Sequence, residues 1–355
     1  MTEKPKLVHD DTMHSPRLQV TGLHVSFADR SRRWGRRPWL GRESRVKAIR
    51  GIDLSISTGA CLGLVGESGS GKSTLARAIM QLIPIDRGTI YLDGRELREA
   101  DSNATRQRVQ MIFQHAHSSM NPRMTVESIV SDPLRFQKGC GQDERTHRVL
   151  ESLHVAGLED GLRSRYPHEL SGGQLQRVAI ARALVLNPDV LVCDEPVSAL
   201  DVSAQAEILA QLKQIQRERS LTMLLITHNL EIAATFCDEL AVMYLGRIVE
   251  YGPVSVVVGQ PRHPYSFFLN AARQTLQRDP ASDPSSRAPM LGGEPPSPVC
   301  PPGGCAFHPR CPIATDLCAS QEPELIQLEG KSQYRRAACH HSDRVADLKK
   351  LTAAG

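Results

Sequence analysis

Gly66-Glu-Ser-Gly-Ser-Gly-Lys-Ser73 fits the phosphate-binding pattern Gly-x-x-x-x-Gly-Lys-Ser/Thr. The stretch follows an apolar run at 60–65 and precedes a helical spacing of Leu75, Ile79 and Leu82. In this strand–loop–helix context, glycines let backbone N–H groups converge on phosphate oxygens, and the helix N-terminus adds a favourable dipole. The sequence therefore predicts a nucleotide phosphate site, and the alternative is a plain glycine turn.

A second motif supplies two carboxylates. Val190-Leu-Val-Cys-Asp194-Glu195 is an apolar strand that ends in two acids. We expect Lys72 to reach the β- and γ-phosphates, Ser73 and Asp194 to bind Mg²⁺, and Glu195 to polarise the attacking water. Acids at a strand end are often helix caps, but beside a phosphate loop they favour phosphoryl transfer by positioning and charge neutralisation.

Apolar strand-like runs alternate with helical periods from about residue 18 to residue 258. This rhythm predicts parallel βαβ units, hence an α/β fold. The stretch from about 115 to 186 is mostly helical and predicts an inserted helical subdomain. Residues 279–304 are rich in Pro, Ser and Gly, which is typical of a linker, and a cysteine-bearing tail follows.

Composition limits the possible classes of protein. With 355 residues, 40% hydrophobic and 23% charged, the chain can form a large core, and general disorder is excluded. Because no apolar run reaches the ~18 residues of a membrane span and the N-terminus is polar, we expect a soluble or peripheral protein of the cytosol.

The net charge of +4 is unevenly distributed. Residues 30–47 carry eight basic side chains against Glu43, together with Trp34 and Trp39. This basic loop either contacts an anionic membrane surface or is a solvated insertion between two strands. The rest of the chain is slightly acidic, so the sequence predicts no nucleic-acid partner.

Leu170-Ser-Gly-Gly-Gln174 is a third motif. Ser171 and Gln174 form a capping box that opens a helix predicted over 172–186, and two glycines there would let a phosphate approach closely. An isolated capping box would be the simpler interpretation. However, Asp194-Glu195, the stretch Ser198–Asp201 and His228 follow in order, and Gln114 stands earlier, after a predicted strand.

This ordered set resembles the ATP-binding cassette (ABC) ATPases over about residues 18–260. The resemblance implies an α/β ABC ATPase fold, with a P-loop core, a mixed sheet and an inserted helical subdomain. It implies that Glu195, His228 and Gln114 are catalytic and that Ser73, Gln114 and Asp194 hold Mg²⁺. The implied ATP-binding residues are Gly66, Glu67, Ser68, Gly69, Ser70, Gly71, Lys72, Ser73, Thr74, Ser171, Gly172, Gly173, Gln174 and Asp201.

Phe27 corresponds in position to the aromatic residue that stacks on adenine in this family, although a core phenylalanine is an equal alternative. The family pairs two cassettes head to tail, with ATP between the phosphate loop of one and the Leu170–Gln174 motif of the other. All hydrolytic positions hold competent residue types, so active hydrolysis is expected. Leu175 and Asn229 depart from the residues most frequent at their positions in the family. His115-Ala-His117 follows Gln114, in the segment that the resemblance implies would touch the transmembrane partner.

The C-terminal tail indicates one subgroup of these ATPases. Four segments of the tail resemble the C-terminal extension of dipeptide, oligopeptide and nickel importer ATPases, most of all the second ATPase subunit of dipeptide importers. These segments are Arg262–Tyr265, Gly293–Pro298, Gly304–Phe307 and Arg310–Pro312. This implies an ATPase that drives uptake of di- or oligopeptides, peripheral at the cytoplasmic face of the cell (inner) membrane. Implied partners are two transmembrane permease subunits, a second ATPase subunit (a sister or a second copy) and an extracytoplasmic substrate-binding protein. A nickel or glutathione importer, an exporter, and a soluble ABC ATPase acting on DNA or ribosomes are the alternatives.

Cys305, Cys311, Cys318 and Cys339 cluster in the tail. In a cytosolic chain such a cluster favours a metal over disulfides. The tight Cys pairs that zinc prefers are absent, whereas four thiolates suit a 4Fe-4S cluster, which the resemblance to peptide importers also implies. Zinc and unliganded thiols remain alternatives, and Cys300 is a spare.

The predicted domains follow from these boundaries. They are an N-terminal tail at 1–17, an ATP-binding domain at 18–260 with its helical subdomain at about 115–186, and a C-terminal extension at 261–355.

Overall fold

The computed structural model describes residues 16–28, 45–97, 102–114, 116–137, 139–276, 292–328 and 334–348. Most of the predicted basic loop therefore lies outside the described residues, as do nearly all of the N-terminal tail and the first half of the predicted linker. Their predicted roles stay predictions.

An eight-stranded mixed sheet forms the centre of the fold, in the order β11-β12-β10-β9-β3-β8-β7-β6. The five strands from β9 to β6 are parallel, and β10, β12 and β11 run antiparallel to their neighbours. Every residue of β3, β7 and β8 is buried, as expected for parallel strands covered on both faces. The strands are β3 (Cys61–Val65), β6 (Val109–Ile112), β7 (Val190–Asp194), β8 (Thr222–Thr227), β9 (Glu239–Tyr244), β10 (Arg247–Pro253), β11 (Ile326–Gln327) and β12 (Arg336–Ala337).

A separate antiparallel sheet has the order β2-β1-β4-β5. Its strands are β1 (Pro16–Ala28), β2 (Arg45–Ser57), β4 (Arg87–Leu92) and β5 (Arg95–Glu96). The alternation of buried and exposed residues in β1 and β2 directs one face inward, where Leu18, Val20 and Ile52 belong to the same hydrophobic cluster as residues of β3 and the helix that follows it. The sequence analysis gave strands on both sides of the basic loop as one alternative, but it did not predict this sheet.

Helices cover the mixed sheet, and α3, α4 and α5 pack together in the region predicted to be a helical subdomain. They are α1 (Lys72–Ile79), α2 (Ser102–Arg108), α3 (Val126–Ser131), α4 (Gln142–Val155), α5 (Gly172–Leu184), α6 (Val202–Arg219), α7 (Leu230–Phe236), α8 (Val254–Gly259), α9 (Pro264–Leu276) and α10 (Asp316–Ser320). Together with the sheets they confirm the predicted α/β fold with a mixed sheet. None of the described helices combines the length and the apolar character that a membrane crossing requires.

Two helices end earlier than their hydrophobic spacing predicted. Helix α1 stops at Ile79 because Gln81 adopts a positive φ of 55° and the Leu82 N–H turns back to the Arg77 carbonyl. Leu82 is therefore exposed and does not belong to the apolar face of α1, so that part of the prediction is wrong. Helix α5 likewise ends at Leu184, two residues before the predicted end.

The C-terminal extension is built into the same body as the ATP-binding region. Strand β12 adds to the sheet beside β10, and Phe307, Val345 and Leu348 belong to the larger hydrophobic core. The buried Glu250 of β10 pairs with Arg335 and accepts hydrogen bonds from the backbone N–H groups of Arg262 and His263. Because a buried carboxylate needs such partners, these contacts fix the start of the extension against the sheet.

Candidate nucleotide-binding site

Four adjacent parallel strands bring the predicted motifs to one edge of the sheet. The phosphate loop follows β3, Gln114 follows β6, Glu195 follows β7, and His228 follows β8. Parallel strands share their carboxyl edge, so segments far apart in sequence meet there, as ligand sites of open α/β sheets usually do.

The phosphate loop packs tightly at Gly66, where a Cβ would approach the Met243 carbonyl oxygen to 2.2 Å, and at Gly71. Gly71 has a φ of 107°, and a Cβ there would approach the Ala48 carbonyl oxygen to 2.4 Å, so no other residue fits without a shift of the backbone. The Lys72 ammonium donates hydrogen bonds to the carbonyls of Gly66 at 2.7 Å and Glu67 at 2.9 Å. Burial lowers the pKa of Lys72, with nearby carboxylates opposing the shift. The lysine is thus held inside the loop at the start of α1.

Ser73 and Asp194 meet beneath the loop. The Ser73 hydroxyl donates to Asp194 Oδ1 at 3.2 Å, and Asp194 is only 4% exposed. Burial raises the pKa of Asp194, and the Ser73 hydrogen bond opposes that shift. A hydroxyl and a buried carboxylate are hard oxygen ligands, which is the donor set that Mg²⁺ prefers.

Gln114 and His228 converge on the carboxylate of Glu195. The Gln114 amide donates to Oε2 at 2.9 Å, and His228 Nδ1 lies 3.0 Å from Oε1. Glu195 also has a φ of 48°, in the left-handed region that non-glycine residues seldom adopt. Strained backbone of this kind persists where the surroundings hold it, commonly at functional sites. The three residues predicted to be catalytic therefore form one hydrogen-bonded group.

The capping box predicted at the start of α5 is present. Ser171 Oγ accepts from the Gln174 N–H at 3.2 Å, and Gln174 Oε1 accepts from the Ser171 N–H at 3.0 Å. Ser171 and Gly172 are exposed, so this helix start, with its positive dipole end, faces solvent. Among the described hydrogen bonds, those of the Ser171 and Gln174 side chains stay within the helix start and do not reach the phosphate loop.

Asp201 and Phe27 are the remaining predicted site residues. Asp201 caps α6: its Oδ1 accepts from the Ala204 N–H at 2.9 Å and from the Ser203 hydroxyl at 2.7 Å. The Ala204 hydrogen bond, with help from Ser203, lowers the pKa of Asp201. Phe27 lies near the end of β1 and is 40% exposed, which excludes the core alternative. Contact of either residue with a nucleotide stays a prediction.

The four predicted cysteine ligands line one small cavity, together with His308 and His341. The Cys305 N–H donates to the Cys318 carbonyl at 2.8 Å, and this approach needs Gly304, whose φ is 62°. Burial raises the pKa of Cys311 to about 11 and that of Cys339 to about 12. All nine cysteines are free, and within the described residues no three His, Cys, Asp or Glu side chains are placed to ligate one metal ion.

Two residues of the extension contact the phosphate loop, and the sequence analysis did not identify them as site residues. Tyr265 accepts a hydrogen bond from the Glu67 N–H at 2.7 Å, and Arg310 forms an ion pair with the Glu67 carboxylate at 2.9 Å. Both belong to tail segments already singled out for their resemblance, but nothing in the sequence indicated that they meet the loop.

Comparison with known proteins identifies the family. The ABC transporter family model matches residues 49–198, and the model for the oligopeptide/dipeptide transporter C-terminal region matches residues 249–318. The chain is 42% identical to the oligopeptide transport ATP-binding protein OppF of Escherichia coli (strain K12), over 87% of this chain and 92% of OppF. The chain belongs to the ABC transporter family. This ABC protein is also 41% identical to the di/tripeptide transport ATP-binding protein DppF of Pseudomonas aeruginosa (strain UCBPP-PA14), over 84% of this chain and 91% of DppF.

Solved ABC cassettes share the fold. The cassette MJ0796, whose dimeric structure in a post-hydrolysis state is bound to ADP and Pi, is 29% identical with a TM-score of 0.57, over 67% of this chain and 98% of that one. CbiO1 from Clostridium perfringens, part of the ABC transporter complex CbiONQ, is 26% identical with a TM-score of 0.59, over 75% of this chain and 96% of CbiO1. The ABC protein described here is an ATPase of this family.

Proposed function

We propose that this chain is the ATP-hydrolysing subunit of an importer of di- or oligopeptides and works at the cytoplasmic face of the membrane. The observation that carries the hydrolytic part is the Gln114–Glu195–His228 group, which stands at the same sheet edge as Ser73 and Asp194. A carboxylate that lies beside a phosphate loop and can accept a proton is placed to orient a water molecule for attack on the terminal phosphate.

The residues divide the work as follows. The loop Gly66–Thr74 would cradle the phosphates through backbone N–H groups and Lys72, while Ser73, Asp194 and Gln114 would hold Mg²⁺. When bound, Mg²⁺ would neutralise charge that develops on the phosphates. Glu195 accepts the proton of the attacking water, and Gln114 and His228 keep its carboxylate in place.

Ser171–Gln174 and Asp201 would act on a second cassette. Because the exposed start of α5 has two glycines, which let a phosphate approach closely, and a positive dipole end, it suits the terminal phosphate of a nucleotide held by a facing cassette. The second ATPase is another copy or a sister subunit. Closure of the two ATPases around ATP, and their reopening after hydrolysis, would drive alternating access in two permease subunits. An extracytoplasmic binding protein would deliver the substrate to those permease subunits.

Support for peptides as the transported substrate comes from the extension. Its residues match the oligopeptide/dipeptide transporter C-terminal region, and the similar proteins OppF and DppF are named for oligopeptide and di/tripeptide transport. In this proposal residues 1–17 are a tail, 18–260 form the ATP-binding domain with its helical subdomain at about 115–186, and 261–355 form the extension.

We include a 4Fe-4S cluster in the proposal. The four cysteine side chains fit such a group because they surround a single cavity. Four thiolates are the ligands that such a cluster takes, whereas zinc usually takes Cys pairs with a tighter sequence spacing than these four cysteines have. When bound, the cluster would tie Cys305, Cys311, Cys318 and Cys339 together as a structural crosslink.

The experiment that tests the transport function uses the chain co-expressed with the permease and binding-protein subunits of a peptide importer. ATPase activity of the purified complex in proteoliposomes is measured with the binding protein loaded with a peptide mixture, with nickel, or with glutathione. Stimulation by peptides alone is expected. Stimulation by nickel or glutathione alone would replace the peptide assignment, and hydrolysis that depends on DNA or ribosomes instead would overturn the importer assignment.

A further inference from the structure

The C-terminal extension contacts the phosphate loop through one arginine. Arg310 Nη1 and Nη2 lie 2.9 Å and 3.2 Å from the two carboxylate oxygens of Glu67, across 243 positions of sequence. The Arg310 side chain is 6% exposed and that of Glu67 is 27% exposed. This two-point geometry fixes the orientation of both planar groups, and lysine cannot reproduce it.

An aromatic cluster supports the arginine. Tyr244, Tyr265 and Phe307 pack with ring centroids 4.8–5.6 Å apart, and Arg310 Nη1 lies 3.4 Å from the Tyr244 hydroxyl. The Tyr265 hydroxyl in turn accepts the Glu67 N–H. The extension therefore holds both the backbone and the side chain of a single loop residue.

Charge gives this contact a consequence for nucleotide binding. ATP brings several negative charges to the loop, and the Glu67 carboxylate, which lies on the loop itself, repels them unless a cation compensates it. Arg310 supplies that cation, and its guanidinium stays charged at any physiological pH. Loss of Arg310 would leave an uncompensated acid beside the phosphates and would also free the loop to move.

We propose that Arg310 is a positioning residue of the nucleotide site, which neutralises Glu67 and holds the phosphate loop in the conformation that binds MgATP. The proposal rests on the function proposed above, since it assumes that the loop binds ATP. It assigns part of the nucleotide affinity of the cassette to a residue of the extension, outside the motifs that contact the nucleotide.

The test compares the affinity of full-length variants for a fluorescent ATP analogue with Mg²⁺. Arg310→Met is expected to weaken binding about fivefold, as for a well-formed, partly buried ion pair, and to raise KM with little change in kcat. Arg310→Lys should recover part of the loss. Arg310→Met combined with Glu67→Gln should bind more tightly than Arg310→Met alone, because the uncompensated charge is then gone.

Glu322→Gln is the matched control. Glu322 forms ion pairs with Arg50 and Arg247, so this variant weakens a different contact between the extension and the sheets without touching the phosphate loop. We expect its affinity for the ATP analogue to be unchanged.

Three results would overturn the assignment: unchanged affinity in Arg310→Met, equal weakening in the single and double variants, or an equal loss in Glu322→Gln. The last would mean that general loosening of the extension, and not Arg310, governs affinity. Failure of the unsubstituted protein to bind MgATP would instead refute the proposed function, so the two failures can be told apart.

Discussion

His228 Nδ1 lies 3.0 Å from Glu195 Oε1, and this contact joins the ends of two neighbouring parallel strands. The Gln114 amide holds the other oxygen of the same carboxylate, so Glu195 is fixed from two sides. A carboxylate held in one orientation can place the attacking water in the same position in every catalytic cycle.

Glu195→Gln is expected to bind MgATP and to lose hydrolysis by about 10²–10⁴-fold, because the amide cannot accept the proton of the attacking water. Bound ATP should then trap the closed dimer, which size-exclusion chromatography with light scattering would detect. Glu207→Gln changes an exposed acid on α6 and should hydrolyse ATP normally. Normal turnover in Glu195→Gln would remove the assignment of Glu195 as the base.

Lys72→Ala is expected to weaken MgATP binding about 10- to 100-fold, the usual range for a charge-assisted contact. The ammonium at the start of α1 is the cation that the loop itself supplies to the phosphates. Isothermal titration measures the affinity, and circular dichroism checks that the variant folds. Lys213→Ala removes a lysine that contacts Phe236 and should bind normally. Equal affinity in both variants would contradict the role of Lys72.

Asp194→Asn should melt at a higher temperature than the unsubstituted protein at pH 7, without Mg²⁺ or nucleotide, yet lose Mg²⁺-dependent hydrolysis. Burial raises the pKa of Asp194, so the folded state binds its proton more tightly than the unfolded chain does. At a pH below the pKa of Asp194 in the unfolded chain, the carboxyl is protonated in both states and costs no stability. The cost grows as the pH rises above that value toward and through the higher pKa of Asp194 in the folded state. Asparagine avoids that cost.

Thermal melts measured across pH test the sign of this effect. The difference in melting temperature between Asp194→Asn and the unsubstituted protein should shrink as the pH falls toward the ordinary range of aspartate, about pH 4. A variant less stable than the unsubstituted protein at pH 7 would mean that the charge of Asp194 is well compensated.

Mixing Lys72→Ala with Ser171→Arg tests the head-to-tail pairing. Each variant alone should be inactive, because every composite site then lacks either its lysine or its facing helix start. A mixed dimer of the two variants retains one site with an intact loop and an intact Ser171. Partial recovery of ATPase activity would demonstrate self-pairing. A mixture as inactive as its components would exclude a working homodimer and require a sister subunit.

Cys311→Ser should lower the iron and acid-labile sulfide content of anaerobically purified protein and weaken its visible absorption band, since one thiolate ligand is removed. Cys140→Ser is the matched control because Cys140 lies outside the cysteine-lined cavity. Unsubstituted protein that is colourless, iron-free and soluble would eliminate the cluster, and zinc content would then separate the remaining alternatives.

The features that the sequence predicted correctly depend on short stretches of chain. The capping box joins Ser171 to Gln174, three residues apart, and the phosphate loop is defined by its glycines and its strand–helix context. The apolar runs that became β3, β7 and β8 also imply that these strands are covered on both faces. Each of these features is set by backbone geometry and side-chain periodicity within a few residues.

Local patterns did not predict where helix α1 ends or which strands pair in the four-stranded sheet. The apolar spacing of α1 continued to Leu82, but the left-handed conformation of Gln81 ended the helix first. The four-stranded sheet pairs β1 with β4 across more than sixty residues, and no alternation within either strand specifies its partner.

The sequence by itself therefore determined that the chain has a glycine-rich loop between a strand and a helix, a pair of acids at a strand end and a capped helix start, because such motifs carry their geometry with them. Only the tertiary structure decided that Gln114 and His228 meet on Glu195, that four cysteines share one cavity, and that Arg310 reaches Glu67. These contacts depend on strand order and on packing between segments that are distant in the chain, which local periodicity does not encode.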